Sequence, residues 1–191
     1  MWDESSQSLQ GKLLIAACHL RDPNFYKTVV LVVEHGEGGA MGLVVNRPTS
    51  ISVARALSEH FELPDRGELV YYGGPVEPNA LFVIHNAEDI DNGSPIIPGL
   101  YVGSSAEAFE NVVRSAADDN DRLRFRIYSG CAGWAPRQLE AELDQGDWFV
   151  LPATADIVFA DDPYAVYDAL LRDIRRAQRI IPTAVEDPEL N

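Results

Sequence analysis

An α+β domain built from antiparallel hairpins with helices inserted between them is what this sequence predicts, on three observations. Short apolar runs recur along the chain and are separated by turns of Gly, Pro, Asn and Asp. Segments of helical period interrupt those runs. Strict strand–helix alternation is missing, which argues against a doubly wound parallel sheet.

Residues 1–10 are polar and acidic and read as a flexible arm ahead of a single domain over 11–179. The run 13–17 is a short strand, broken by the turn sequence Arg21-Asp-Pro-Asn24. The valine-rich run 27–34 is a buried strand, and Gly36-Glu-Gly-Gly39 turns it onto a hairpin partner over 40–46. A helix is predicted over 52–60, capped by Ser50 or Ser52, with Ala54, Leu57 and Phe61 along one side. Runs 69–72 and 80–85 are strands around the break Gly73-Gly-Pro75, where Gly74 is expected to be extended because a proline follows. Residues 86–98 form a loop and 99–103 a brief strand. Ser104 and Glu107 make a capping box for a helix to Ala117, with Ala108, Phe109, Val112, Val113 and Ala116 on its apolar stripe. The run Asp118-Asp-Asn-Asp121 is a solvated loop.

Alternation over 122–128 sets Leu123, Phe125 and Ile127 against Arg122, Arg124, Arg126 and Tyr128, a half-exposed strand. It leads into a glycine-rich junction and then a helix from Pro136 to Asp144, closed by Gly146. Runs 148–151 and 157–160 are the last strands. Pro163 opens a final helix with Tyr167, Leu170, Leu171 and Ile174 towards the core and Arg172, Arg175, Arg176 and Arg179 towards solvent. Residues 180–191 read as an irregular tail.

Composition narrows the function classes. At 191 residues and 46% hydrophobic, the chain supports one core and excludes general disorder. A net charge of −15 repels phosphate backbones and anionic lipid, so direct nucleic-acid binding is disfavoured. No apolar run is long enough to span a bilayer, and the start lacks a charged-then-apolar leader, so a cytoplasmic location is expected. There Cys18 and Cys131 are expected as free thiols rather than a disulfide. The four histidines lack metal-site spacing, so neither a metal nor a cofactor is expected.

The stretch Tyr128-Ser-Gly-Cys-Ala-Gly-Trp134 is the densest candidate site. Its glycines allow a sharp bend, and a helix N-terminus just downstream favours anions and thiolates. Cys131 is thus a candidate nucleophile against the plainer reading of a small residue in a tight turn, with His19, His35 or His85 as possible bases. Trp134, Gln138 and Glu142 either line a pocket or lock the helix to the sheet, since Gln138 and Glu142 share a helix face. Asn46 and Arg47, at a sheet end, could grip an anion; the competing reading pairs Arg47 with Glu34 or Glu140. Glu34 beside His35 could form an acid–base pair. Gly73, Gly74 and Gly133 complete the candidate cleft, with Gly73 and Gly74 otherwise plain backbone punctuation.

Six segments carry a resemblance: Gly11-Lys-Leu-Leu-Ile-Ala16, Asp22-Pro-Asn-Phe25, Glu34-His35, Gly39-Ala-Met-Gly-Leu-Val-Val-Asn-Arg-Pro48, Gly73-Gly-Pro-Val76 and Gly133-Trp-Ala-Pro-Arg-Gln-Leu-Glu-Ala-Glu142. In this order the chain resembles the YqgE/AlgH family of uncharacterised bacterial proteins, to about Phe159. The resemblance implies a strongly bent, partly barrel-like sheet. Some members are labelled transcriptional regulators through a link with alginate synthesis, and no catalytic or binding residues carry across. Members commonly have proline where this chain has Cys18-His19, and often an aromatic residue where it has Cys131, so thiol chemistry here would belong to a subgroup. The leading expectation is a non-catalytic binding or regulatory module for a small anion or a peptide. The alternative is a thiol-dependent hydrolase or transferase using Cys131.

Overall fold

The computed structural model describes residues 8–59, 61, 67–88, 94–103, 105–117 and 122–180. In it the apolar runs become strands β1 (Lys12–Ala16) and β2 (Val29–Gly36), paired antiparallel, and the glycine turn folds β2 onto β3 (Gly39–Val44). Leu13, Leu14 and Ile15 and residues 29–32 are fully buried, which is why these runs are apolar without alternation. The remaining strands are β4 (Pro48–Ser52), β5 (Leu69–Tyr72), β6 (Val76–His85), β7 (Tyr101–Gly103), β8 (Phe125–Trp134) and β9 (Trp148–Pro152). They form one open, nine-stranded sheet in the order β4-β5-β8-β3-β2-β1-β9, with β6 on β8 and β7 on β6. Every pairing is antiparallel except that of β5 with β8.

The long strand β8 changes neighbours partway along. Ile127, Tyr128 and Ser129 pair with Val70, Tyr71 and Tyr72 of β5, whereas Ala132, Gly133 and Trp134 pair with β3. Between the two lies Gly130, at φ +71°. Here Gly73 wedges between the two strands: its N–H donates to Ser129 O and its carbonyl accepts from Val44 N, both at 2.9 Å. A Cβ on Gly73 would overlap Gly130 O, and one on Gly74, whose φ is +151°, would overlap the Cys131 carbonyl. The expectation of a glycine break there is thus refined: these are points of backbone contact that only glycine permits.

Several expected elements change. The strand β4 occupies residues expected to lead into a helix, because its end pairs with β5 at Ser52–Leu69. Only one helical turn, α1 (Val53–Ala56), follows; Ser52 Oγ accepts from Arg55 N at 3.3 Å and Ser58 Oγ closes the turn onto Arg55 O. His60 lies outside the described residues. Helix α2 (Ala106–Ala117) is capped by Ser105, whose Oγ accepts from Ala108 N at 3.1 Å; the expected cap Ser104 and the run 118–121 lie outside the described residues. Helix α3 (Gln138–Asp144) starts after Pro136, because Arg137 adopts φ +63°.

The expected strand 157–160 is instead a helical turn, α4 (Ala155–Val158), set by Thr154, whose hydroxyl accepts from Ile157 N at 3.3 Å. The final helix α5 (Pro163–Ile180) is capped by Asp162, whose Oδ1 accepts from Tyr164 N and Ala165 N at 3.0 and 3.2 Å. It buries Val166, Tyr167, Leu170, Leu171 and Ile174. Arg172, Arg175 and Arg176 are exposed, while the side chain of Arg179 and the tail 181–191 lie outside the described residues. At the other end residues 1–7 are likewise outside them, and Leu9, in the segment expected as an arm, is buried with its N–H on His35 Nδ1. The main core surrounds β1, β2 and β3; a smaller one, with Val53, Val70, Val83, Val112 and Ile127, lies under α1 and α2.

Candidate functional site

Residues 130–134 do not bend out of the sheet as expected but continue as the end of β8. Cys131 sits inside β8 at 4% exposure, paired with Val76. Its thiol is not at a helix N-terminus, and burial, reinforced by the charge of Glu77, pushes its pKa up. That is the reverse of what a thiolate nucleophile requires. The histidines weighed as its base are engaged elsewhere. His19 Nε2 meets Asp147 at 3.0 Å, His35 bonds Leu9 and Glu140, and buried His85 stacks on Tyr101. Both cysteines are free thiols.

Trp134, Gln138 and Glu142 resolve in favour of the lock. Glu142 Oε2 accepts from the indole N–H of Trp134 at 2.9 Å and of Trp148 at 2.8 Å, and Oε1 accepts from Gln138 Nε2 at 2.9 Å. Gln138 Oε1 in turn accepts from Ala135 N at 3.0 Å. The indoles meet edge-on with ring centroids 6.1 Å apart, and Phe25 packs on both. One carboxylate therefore ties α3 to β8 and β9. The sequence offered Trp148 only as the start of a strand, and no local spacing links it to Glu142.

Phe25 belongs to a turn held from two sides. Asp22 Oδ1 accepts from Asn24 N at 2.7 Å, and Asp22 O accepts from the Phe25 and Tyr26 amides. Arg47 grips the other side, its two Nη atoms donating to the carbonyls of Pro23, Asn24 and Tyr26 at 2.8–3.2 Å. The expected ion pair with Glu34 or Glu140 is therefore replaced by backbone carbonyls. Burial lowers the pKa of Arg47, while Tyr72 and Asp22 oppose that shift. Asn46 is buried, its Oδ1 accepting from Val29 N and its Nδ2 donating to Lys27 O.

Above this turn opens a cleft of about 760 Å³ that sequence reasoning missed. Its walls include Tyr26, Tyr72, Tyr164 and Tyr167, with Lys27 and Arg47 beside them. The tyrosines come from the turn, β5 and α5, so no sequence window contains the set. Tyr72 OH donates to Asn24 Oδ1 at 3.2 Å and Tyr167 OH to Ala16 O at 2.9 Å, which fixes two rings. Tyr26 and Tyr164 are 49% and 71% exposed. Next to it, sharing Pro48 and Tyr164 as lining, lies a cleft of about 590 Å³ with Glu68, Asp161, Asp162 and Arg126.

Glu34 and His35 line a separate cleft of about 540 Å³ with Trp134. They do not pair with each other, since consecutive strand residues point to opposite faces. His35 Nε2 meets Glu140 Oε1 at 2.9 Å, while its Nδ1 accepts the Leu9 N–H at 3.2 Å. That pattern assigns the proton to Nε2. The candidate residues thus divide: Asn46 and Arg47 to one cleft, Glu34 and His35 to another, Gln138 and Glu142 to the helix lock, with Trp134 shared between the lock and the second cleft. Gly73, Gly74 and Cys131 belong to the packed contact of β8 with its neighbours, whereas Gly133 is exposed and pairs with Met41 of β3. Among the described residues no group of three or more His, Cys, Asp or Glu could hold a metal ion, and no helix is long and apolar enough to cross a membrane.

A family model described as AlgH-like matches residues 13–178. The chain belongs to the AlgH-like family. A UPF0301 protein of Myxococcus xanthus is 38% identical over 169 residues, covering 87% of this chain and 91% of its own. Another, from Chlorobaculum tepidum, is 33% identical over 182 residues, 95% of either chain. The solution structure of the AlgH protein from Pseudomonas aeruginosa matches at 31% identity with a TM-score of 0.70, over 100% of this chain and 99% of that one. A crystal structure of a protein from Corynebacterium diphtheriae, 23% identical over 90% of each chain, shares the fold at the same TM-score.

Proposed function

We propose that this AlgH-like protein is a non-catalytic binding module whose partner lays an extended peptide segment in the tyrosine-lined cleft. One observation carries the reading: of seven tyrosines in the chain, four line this one cleft, and the most exposed of them, Tyr164, is 71% exposed. Tyrosine walls offer flat apolar area with a polar rim, the surface that extended and proline-rich segments pack against. A small anion fits less well, since the Arg47 Nη atoms already donate to three carbonyls. Duplex DNA fits worse still against a net charge of −15. Any regulatory role would act through the captured protein, and two free thiols suit the cytoplasm.

The reading is tested by panning a random-peptide display library on the wild-type protein and on Tyr164→Ala and Tyr26→Ala variants. Both side chains are exposed enough for removal to leave the fold intact. Peptides enriched on the wild type and weakened about tenfold or more by either variant support it, as a central aromatic contact would. No enrichment, or enrichment that ignores both substitutions, rejects it.

A further inference from the structure

We infer that the partner segment is electrically polar along its length, with an acidic end over Lys27 and a basic end over Asp161 and Asp162, crossing Tyr164 between them. This rests on the peptide-binding reading and specifies its ligand. The two clefts flanking Tyr164 are open troughs with common walls at Pro48 and Tyr164, which suits an elongated occupant more than a compact one. Their described linings differ in charge. The first carries Lys27 and Arg47 with Asp168, and Asp22 acts on Arg47 and Tyr72 from beside it, while the second carries Glu68, Asp161 and Asp162 with Arg126.

Local bonding withdraws both arginines: Arg47 donates to the carbonyls of Pro23, Asn24 and Tyr26, which leaves Lys27 as the exposed cation of the first trough. Arg126 lies with its guanidinium 4.6 Å from the Tyr71 ring centroid and donates to the carbonyls of Val45, Val158 and Ala160, so it faces inward. Asp161 is exposed at the mouth of the second trough. At the other end Lys27 is exposed, its Nζ 5.8 Å from the Tyr26 ring centroid. An exposed lysine at one end and exposed carboxylates at the other, on a chain of net charge −15, favour a matched segment over general electrostatic attraction.

Four synthetic peptides with one polyproline core test this by fluorescence anisotropy at low and high salt. One carries glutamates at one end and lysines at the other, one carries glutamates at both ends, one lysines at both, and one no charge. The bipolar peptide is expected to bind about three- to tenfold tighter than the uncharged one at low salt, an advantage that shrinks at high salt. It should also outbind the doubly basic peptide, although the acidic protein attracts the latter more at long range. Lys27→Glu should shift preference to the doubly basic peptide, and Asp161→Lys to the doubly acidic one. Binding of all four peptides with equal affinity, lost in Tyr164→Ala, would overturn the polarity and leave the peptide cleft standing. Tightest binding by the doubly basic peptide, unaffected by Lys27→Glu, would also overturn it. If no peptide binds, or Tyr164→Ala changes nothing, the cleft reading itself falls and takes the polarity with it.

Discussion

Glu142 shows how one side chain can tie a helix to two strands. Its two oxygens accept three hydrogen bonds, two of them from the indoles of Trp134 and Trp148, which are nearly buried. Glu142→Ala would strand those donors, and an unsatisfied buried donor costs about 1–3 kcal/mol. The expected loss is about 2–4 kcal/mol of unfolding free energy by urea titration, with Glu142→Gln losing less because one acceptor oxygen survives. A loss under about 0.5 kcal/mol would mean that the indoles find water instead. Cys131 yields a second prediction at this scale. In the native protein iodoacetamide should label exposed Cys18 and leave Cys131 unmodified from pH 5 to 9, with both alkylated in urea. Native labelling of Cys131 at neutral pH would contradict its buried place in β8.

At the scale of elements, the sheet depends on glycines at the changeover of β8. Gly73→Ala sets a methyl group against Gly130 O, and both partners are backbone, so no side-chain rotation relieves the overlap. A loss of about 3 kcal/mol or more is expected in chemical denaturation, near the upper range for single substitutions. Gly38→Ala, with nothing within 4 Å of its Cβ, should change stability by less than about 0.5 kcal/mol. Equal effects at the two positions would remove Gly73 from its wedge. The sequence made the strands β1, β2, β3 and β5 and the helices α2, α3 and α5 legible, because buried runs and long amphipathic periods are local signals. It misread 130–134 as a bend because glycine and a downstream Pro136 announce a turn. Whether glycine ends a strand or lets it switch partners depends on Gly73, far away in sequence. Residues 157–160 failed for a related reason: Ile157, Val158 and Phe159 read as a strand, yet Thr154 caps a helical turn through them. Of the candidate residues, Asn46 and Arg47 line one cleft and Trp134 another, and their bonding is set by distant partners such as Trp148 and the 22–27 turn that no local pattern announces. The tyrosine cleft was invisible, since its walls meet only after folding.

The whole molecule carries its ionisable aromatic and thiol groups in a way that sets its alkaline limit. Burial raises the pKa of Tyr71, Tyr72, Tyr128 and Cys131 above their ordinary values, and Tyr167 rises to about 12, from burial first and Cys18 second. A group with a raised folded-state pKa binds its proton more tightly when folded. Its contribution is complete below the unfolded value, near 9.0 for the thiol and 10.0 for the phenols, and is lost as pH rises through the folded one. Urea midpoints should therefore hold from pH 7 to 9 and fall above pH 10. Tyr128 isolates the effect, because it is fully buried and its hydroxyl makes no hydrogen bond of ordinary geometry among the described residues. Tyr128→Phe keeps the ring and should change stability at pH 7 by less than about 1 kcal/mol. Above pH 10 it should flatten the decline by about 1.4 kcal/mol per pH unit, the slope of one phenol that ionises only on unfolding. An unchanged slope would show that Tyr128 ionises in the folded protein. The Tyr128 ring, against Tyr71 at 5.5 Å, would then be reachable by hydroxide, and the close contact of β5 with β8 would have to open in the native state.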